Sequence, residues 1–109
     1  MKERKEVRQR IRKIEKEIDK VKGQLGHLGP MRPGTLTQQY KDRKTKRGAH
    51  YQLSYTHQMK SRTEYVRAEF ATIIRKETAE YKKYRSLTDR WVQLAIELSK
   101  LKILQLKDS

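Results

Sequence analysis

The residues best suited to bind an anion lie in the run KDRKTKR, where five Lys and Arg side chains share one acid, Asp42. These cations are Lys41, Arg43, Lys44, Lys46 and Arg47. Cations with so few acids nearby can pair with phosphate oxygens, and each such pair releases a condensed counterion from a nucleic acid. The run therefore predicts contact with a nucleic-acid backbone, although the same composition is also typical of a solvated basic loop.

The segment that follows, GAHYQLSYTHQMKSRTEYV, alternates aromatic or apolar residues with polar ones. Tyr51, Leu53 and Tyr55 occupy every second position, which is the period of a half-buried strand. A turn at 57–59 and a return strand at 60–66 would complete a two-stranded β-hairpin over residues 50–66. Because an isolated hairpin is marginal in water, we expect its aromatic face to pack against protein, and stacking of the tyrosines on nucleic-acid bases is the alternative.

Other side chains of this hairpin are suited to nucleic acid. A two-stranded ribbon fits the major groove of DNA, where Gln and Ser side chains can hydrogen-bond to base edges. We therefore expect base contacts from Gln52 and Ser54. Further phosphate contacts are expected from Lys60, Arg62 and Arg67.

Catalytic and metal-binding patterns are missing from the sequence. It has no glycine-rich phosphate loop, no G-x-S-x-G elbow and no H-E-x-x-H motif. The absence of cysteine excludes disulfides, thiolate zinc ligands and a cysteine nucleophile. His27, His50 and His57 are scattered, with no cluster of carboxylates beside them. We expect a protein that is not an enzyme and has no catalytic residue, cofactor or metal.

Composition favours a polyanionic partner. The chain has 109 residues, a formal net charge of +15 and a pI near 10.2. Charged residues are 38% and hydrophobic residues 34% of the total, which predicts one domain with a small core. Such a charge balance favours DNA, RNA or an anionic surface.

A membrane is the least favoured of these partners. No apolar run approaches the roughly 20 residues that span a bilayer. The first residues, MKERKEVRQR, lack the apolar stretch of a secretory signal. The expected compartment is therefore the cytoplasm, with the nucleoid as an option.

Two long helices are predicted to flank the hairpin. Residues 2–25 contain no proline, and their apolar side chains recur at alternating spacings of four and three, as in a coiled-coil seam. This seam consists of Val7, Ile11, Ile14, Ile18, Val21 and Leu25. Residues 68–106 lack glycine and proline and contain a similar seam. Its members are Tyr84, Leu87, Trp91, Leu94, Leu98 and Leu101.

The predicted fold class is α+β and mainly α, as a single domain over 1–109. Two long helices, paired as an antiparallel coiled coil, flank a Gly/Pro-rich basic loop at 26–49 and the two-stranded hairpin. The segment GTLTQQYKDRKTKRG could also form a short helix. Homodimerisation through either seam is the competing way to cover the apolar stripes.

Three motifs resemble a family of small prokaryotic proteins of unknown function whose genes often lie near transposase or recombinase genes. They are PGTLTQQY, GAHYQLSYTHQMKSRTEYV and EYKKYRSLTDRWVQLAIELSKL, which together lie within residues 33–101. Members of that family are cysteine-rich between the first two motifs, where this chain has KDRKTKRG. The resemblance implies a genomic context and a basic loop in place of a metal knuckle.

Together these features predict non-catalytic nucleic-acid binding, with DNA favoured over RNA. The resemblance implies an accessory or regulatory factor of a mobile genetic element. One alternative is an RNA- or ribosome-associated basic protein. The other is a coiled-coil protein-interaction module that binds no nucleic acid.

Overall fold

The fold was obtained as a computed structural model, which describes residues 2–42, 44 and 47–107. Two helices and three strands follow one another along the chain. They are α1 (Lys2–Gly26), β1 (Thr35–Asp42), β2 (Arg47–His57), β3 (Lys60–Val66) and α2 (Ala71–Lys107), with a short 3-10 turn at Ala68–Phe70 before α2. The chain divides into two compact units, which we call the helical unit (Met1–Leu28 with Tyr84–Ser109) and the sheet unit (Gly29–Lys83).

The helical unit is held together by one apolar seam. On α1, buried side chains recur at spacings of three and four, so they line one stripe of the helix. Leu94 of α2 is buried against this stripe, and Ile14 at its centre is only 1% exposed. Partly buried side chains extend the same core: Leu25, Leu87, Trp91, Leu98 and Leu101.

Two ion pairs show that α1 and the second half of α2 run antiparallel. Arg10 donates from Nε and Nη2 to Glu97 Oε1, at 2.9 and 2.5 Å. Arg90 Nη2 donates to Glu17 Oε2 at 3.0 Å. Since the partners descend on one helix as they ascend on the other, the helices are antiparallel. Both pairs are solvent-exposed, so they contribute little to the stability of the helix pairing, although they define its register.

The sheet unit contains a three-stranded antiparallel sheet in the order β1-β2-β3. Leu53 of β2 lies between Leu36 of β1 and Glu64 of β3. Leu53 has no exposed surface, and Val66 and Ala71 are also buried. Each strand pairs with its neighbour in sequence, so the sheet is a simple meander.

The predicted fold class is wrong in its sheet. The segment expected to form a basic loop or a short helix forms β1, and β2 begins at Arg47 rather than at residue 50. The prediction was a two-stranded hairpin between two helices paired as a coiled coil. The structure has a three-stranded antiparallel sheet between the two helices. Physically, β1 supplies the strand pairing and apolar cover that an isolated hairpin lacks. Its Thr35, Thr37 and Tyr40 are residues that favour strands.

The β2–β3 turn has two residues, Gln58 and Met59, and both have positive φ (51° and 64°). Two positive φ values are the signature of a type I′ turn, which matches the twist of the flanking strands. Asn-Gly is the favoured pair at this turn, because a Cβ is strained in this region, whereas Gly has none and the short polar side chain of Asn makes the conformation tolerable. Met59 is also 98% exposed, so no packing offsets the strain.

Replacing Gln58-Met59 by Asn-Gly should therefore stabilise the sheet unit by about 1 kcal/mol, since the left-handed conformation is readily adopted by Asn and Gly. Urea unfolding, monitored through hydrogen exchange of the β2 and β3 amides, would measure the change in the free energy of unfolding. Gln58→Ala with Met59→Ala serves as the control, because it keeps the Cβ at both sites. Equal stability of the two variants would contradict the assigned strain.

Within residues 2–42, 44 and 47–107, neither helix is long and apolar enough to cross a lipid bilayer.

Candidate nucleic-acid interface

The strand register divides the side chains of the sheet into two faces. Directly paired residues share a face, and successive residues alternate between faces. One face, which we call the covered face, includes Leu36, Tyr51, Leu53, Tyr55, Glu64 and Val66, and the register also assigns Gln38, Tyr40, Ala49, His57, Lys60 and Arg62 to it. The other, which we call the open face, consists of Thr35, Thr37, Gln39, His50, Gln52, Ser54, Thr56, Ser61, Thr63 and Tyr65.

The covered face forms the small core of the sheet unit. The Arg75 guanidinium of α2 lies over the Tyr51 ring, with its carbon 5.2 Å from the ring centre. The Arg32 backbone N–H donates to the Glu77 carbonyl at 3.1 Å. These contacts place the first turns of α2 against this side of the sheet. The aromatic side chains of β2 therefore serve packing, as an isolated hairpin's marginal stability leads one to expect.

A polar cluster continues the covered face beyond Leu53. Arg32 Nη2 and the Tyr55 hydroxyl both donate to Glu64 Oε1, at 3.0 and 2.8 Å. The Arg32 guanidinium also lies over the Tyr55 ring, 5.3 Å from its centre. Hydrogen bonds from Arg32 and then from Tyr55 lower the pKa of Glu64. The hydrogen bond to the Glu64 carboxylate in turn raises the pKa of Tyr55.

The lowered pKa of Glu64 predicts a stability contribution that depends on pH. A carboxyl whose pKa is lower in the folded state stabilises the fold above its unfolded pKa, and this contribution disappears as the pH falls through the folded value. The loss should begin near the ordinary glutamate value of about 4.3 and continue below it. Glu80 adds to the same trend, because hydrogen bonds from the Gly29 N–H and from Lys83 lower its pKa.

Glu64→Gln should therefore lose less stability than the wild type when the pH falls below about 4.3, since the substituted side chain does not titrate. Tyr55→Phe is expected to lie between the two, because Arg32 still donates to the carboxylate. Urea unfolding of the sheet unit at several acidic pH values measures the slopes. Parallel slopes for Glu64→Gln and the wild type would contradict the assignment.

The open face is polar, uncharged and accessible. None of its ten side chains is buried, and each is a hydroxyl, an amide, an imidazole or a phenol. Some are bonded to one another: Thr56 and Ser61 lie 3.2 Å apart, and Thr37 Oγ1 donates to the Gln52 carbonyl at 3.4 Å. Among the described residues, no hydrogen bond engages the side chain of Gln52 or Ser54. These two remain able to bond to an external partner.

An aromatic pair lies next to this centre. The rings of His50 and Tyr65 are stacked, with centroids 5.3 Å apart and planes inclined by 25°. Tyr65 is 67% exposed, and it pairs directly with Gln52 across the β2–β3 register. The face therefore presents both hydrogen-bonding groups and an accessible aromatic surface.

The structure separates the predicted site residues into groups. Gln52 and Ser54, the two predicted base contacts, lie on the open face. Lys60 and Arg62 are exposed, but they pair with His57 and Tyr55, so they lie at register positions of the covered face. Sequence proximity alone could not show this, because one residue of strand offset moves a side chain to the other face.

The basic run lies at the opposite end of β2 from Lys60. Lys41 ends β1 together with Asp42, Arg47 begins β2, and Lys44 lies exposed in the turn between them. Arg43 and Lys46 lie outside the described residues. Eleven residues of β2 separate this tip from the β2–β3 turn, a distance of about 34 Å at the ordinary strand rise. The predicted phosphate contacts therefore belong to two ends of the sheet.

Arg67 follows β3 directly and pairs with Glu69, whose carboxylate oxygen lies 2.8 Å from Arg67 Nε. Both side chains are mostly exposed, so solvent weakens this pair and leaves Arg67 accessible to a phosphate.

Of the ten open-face residues, the sequence reasoning assigned only Gln52 and Ser54 to the site; those it missed include Thr37, His50 and Tyr65. His50 could have been found from the alternation of β2, which places it on the same face as Gln52. The contribution of Thr37 depends on recognising β1 as a strand, and that of Tyr65 depends on the register of β3.

In the described part of the chain, no group of three or more His, Cys, Asp or Glu side chains is placed to hold a metal ion. Comparison with protein-family models, curated proteins and solved structures finds no match to the chain. The resemblance to a family associated with mobile elements stays a prediction.

Proposed function

We propose that the protein binds duplex DNA without catalysing a reaction. The open face lies toward base edges in the major groove, and cations at the two ends of the sheet bind phosphates. The observation that supports this most is the composition of the open face. It is an uncharged hydrogen-bonding surface, continuous over three strands, on a sheet whose ends are basic.

The open face has the side chains that direct readout uses. Gln can donate and accept at an adenine edge, and Ser and Thr can bond to several bases. An acidic face would repel phosphates, and an apolar face would need to be covered by protein. Strands placed in a groove are an established way to read DNA.

The charge of the sheet unit supplies the non-specific part of binding. Residues 29–83 contain 13 Lys/Arg and 5 Asp/Glu, a net of +8. The two basic ends are about 34 Å apart along β2, which is close to one turn of B-DNA. They can therefore contact phosphates on different parts of the duplex while the face between them lies over bases. Contacts with phosphates position the protein on the duplex, and contacts with bases specify a sequence.

The biological context comes from the family resemblance. It suggests an accessory or regulatory factor of a mobile genetic element, whose task requires binding to a DNA site rather than cutting it.

A second candidate function is binding to RNA, and the stacked His50–Tyr65 pair favours it. Proteins recognise single-stranded RNA by stacking unpaired bases on exposed aromatic rings. In that case Tyr65 would contribute more than Gln52. A protein-interaction role without nucleic acid is the third reading.

The experiment that separates these functions is a salt titration of binding to duplex DNA, single-stranded DNA and structured RNA of equal length. Preference for duplex DNA supports the proposal. Preference for structured RNA would replace DNA by RNA. Weak binding to all three polymers that vanishes at physiological salt would overturn both.

The open face is tested by two matched substitutions on a site selected from random duplexes. Gln52→Ala should weaken binding to the selected site about 5- to 100-fold, the range of one lost bidentate base contact. Binding to unrelated duplexes should change little, because phosphate contacts remain. Gln93→Ala, at an exposed position of α2, is the control and should change neither. A uniform loss on all duplexes would assign Gln52 a structural role instead.

A further inference from the structure

A shallow groove of about 420 Å³ runs along the helical unit, between α1 and the last turns of α2. Ile18 and Lys22 line it from α1, and Trp91, Lys102, Ile103 and Leu106 line it from α2. Its floor includes part of the buried seam, so the groove continues the core of the unit to the surface. The walls are largely apolar, with Lys22 and Lys102 as the charged groups.

A second apolar stripe leads along α2 into this groove. Val92, Ile96, Ile103 and Leu106 are each between 47% and 73% exposed. With Ser99, they recur at spacings of four, three, four and three. This is the spacing of a coiled-coil seam, and it is separate from the seam that α2 buries against α1. An apolar stripe with that period matches an α-helix better than a strand or a small molecule.

The positive charge of the groove favours an incoming helix that has acidic side chains. Among the described residues that line it, two are lysines and none is acidic. The Lys22 ammonium lies 5.3 Å from the centre of the Trp91 ring, so one cation is held at the apolar floor. Acidic side chains beside the apolar stripe of an incoming helix would pair with these lysines.

A second copy of the chain is a poor match for the same reason. Residues 1–28 and 84–109 contain 15 Lys/Arg and 8 Asp/Glu, a net of +7. A symmetric pairing through this groove would bring the same lysines of two copies toward each other, and like charges across an interface are unfavourable.

We propose that this groove binds an amphipathic helix of another protein, with acidic residues flanking its apolar stripe. The partner would occupy the helical unit. The proposal does not depend on DNA binding. It assigns the helical unit a protein partner with acidic residues beside its apolar stripe.

The test uses two synthetic helical peptides of three heptads, both with Leu and Ile at the a and d positions. One has Glu at e and g, and the other has Lys there. Trp91 is the single tryptophan of the chain and lines the groove, so its fluorescence reports occupancy. We expect the Glu peptide to bind at least about 10-fold more tightly than the Lys peptide, because only its charges complement the groove.

Matched variants separate the groove from general attraction to a basic protein. Ile103→Ser should weaken binding of the Glu peptide about 10-fold, whereas Ile73→Ser, at an exposed isoleucine of the sheet unit, should not. Lys102→Gln should weaken binding more than Lys100→Gln, because only Lys102 lines the groove. All four positions are exposed, so the variants are expected to fold.

Three results would overturn the proposal. One is equal binding of the two peptides, and another is equal loss in the groove and control variants. The third is a solution mass of twice 13.1 kDa that returns to the monomer value in Ile103→Ser, because a second copy would then occupy the groove.

Discussion

Replacing Gly34 by alanine is expected to destabilise the sheet unit by about 3 kcal/mol, through backbone strain and overpacking together. Gly34 precedes β1 and has φ of +134°, a conformation that residues with a side chain rarely adopt. A Cβ there would lie 2.8 Å from Leu53 Cδ1 and 2.9 Å from the Ser54 carbonyl oxygen. The Ser54 contact is with backbone of the central strand, so it cannot be relieved by a side-chain rotation.

The readout must follow the sheet unit itself, because Trp91 lies in the helical unit. Hydrogen exchange of the β2 amides is suitable, and a loss of about 3 kcal/mol corresponds to protection that is more than about 100-fold lower. Gly23→Ala is the matched control. It lies in α1 with no atom within 4 Å of the new Cβ, so alanine there should stabilise the helix by up to about 1 kcal/mol. If Gly34→Ala and Gly23→Ala changed the free energy of unfolding in the same direction, this account of Gly34 would be contradicted.

Binding to duplex DNA is expected to weaken about 10³-fold between 50 and 200 mM salt if at least six of the eight proposed cations contact phosphates. Replacing Arg43, Lys44, Lys46 and Arg47 by Gln should reduce the slope of log affinity against log salt by about 3.6. The reason is that each phosphate contact contributes one released counterion. Fluorescence anisotropy over a range of salt concentrations measures both slopes.

The control removes the same charge from the helical unit. Lys5, Arg8, Arg12 and Lys16 lie at exposed positions of α1, and their replacement by Gln lowers the net charge equally. If the basic tip contacts DNA directly, the tip variant loses much more slope than the α1 variant. Equal slopes in the two variants would assign binding to overall charge and not to the β1–β2 tip.

The helices were predictable because their signals are local. The apolar spacing of α1 identifies both the helix and the stripe that it buries, and Ile11, Ile14, Ile18 and Val21 are indeed buried. The length of α2 follows from 37 residues without Gly or Pro. Neither inference requires knowledge of any other part of the chain.

The third strand was not predictable to the same degree. β1 contains Thr, Leu, Gln and Tyr in a segment that could also be a loop, and its strand state depends on pairing with β2. Strand propensity reflects packing with neighbours more than an intrinsic backbone preference. The pattern of β2 predicted a strand, but it did not predict a partner on both sides.

The candidate site shows the same limit. The basic run and Gln52 were identifiable from residue type. Which cations share a face with Gln52 depends on register, and a shift of one residue would exchange the two faces. The polar cluster of Arg32, Tyr55 and Glu64 joins three separate segments, so nothing local in the sequence indicates it.

The division of the chain into two units has a consequence for the order of folding. The helical unit is assembled from two stretches separated by the 55 residues of Gly29–Lys83. Closing a flexible loop of that length costs about 3.5 kcal/mol of chain entropy, and a loop that is already folded costs less. The meander of the sheet pairs only neighbouring strands, so it can form early. During synthesis, residues 29–83 are complete before residues 84–107 exist. The apolar stripe of α1 therefore has no partner from residues 84–107 until that part of α2 has been synthesised.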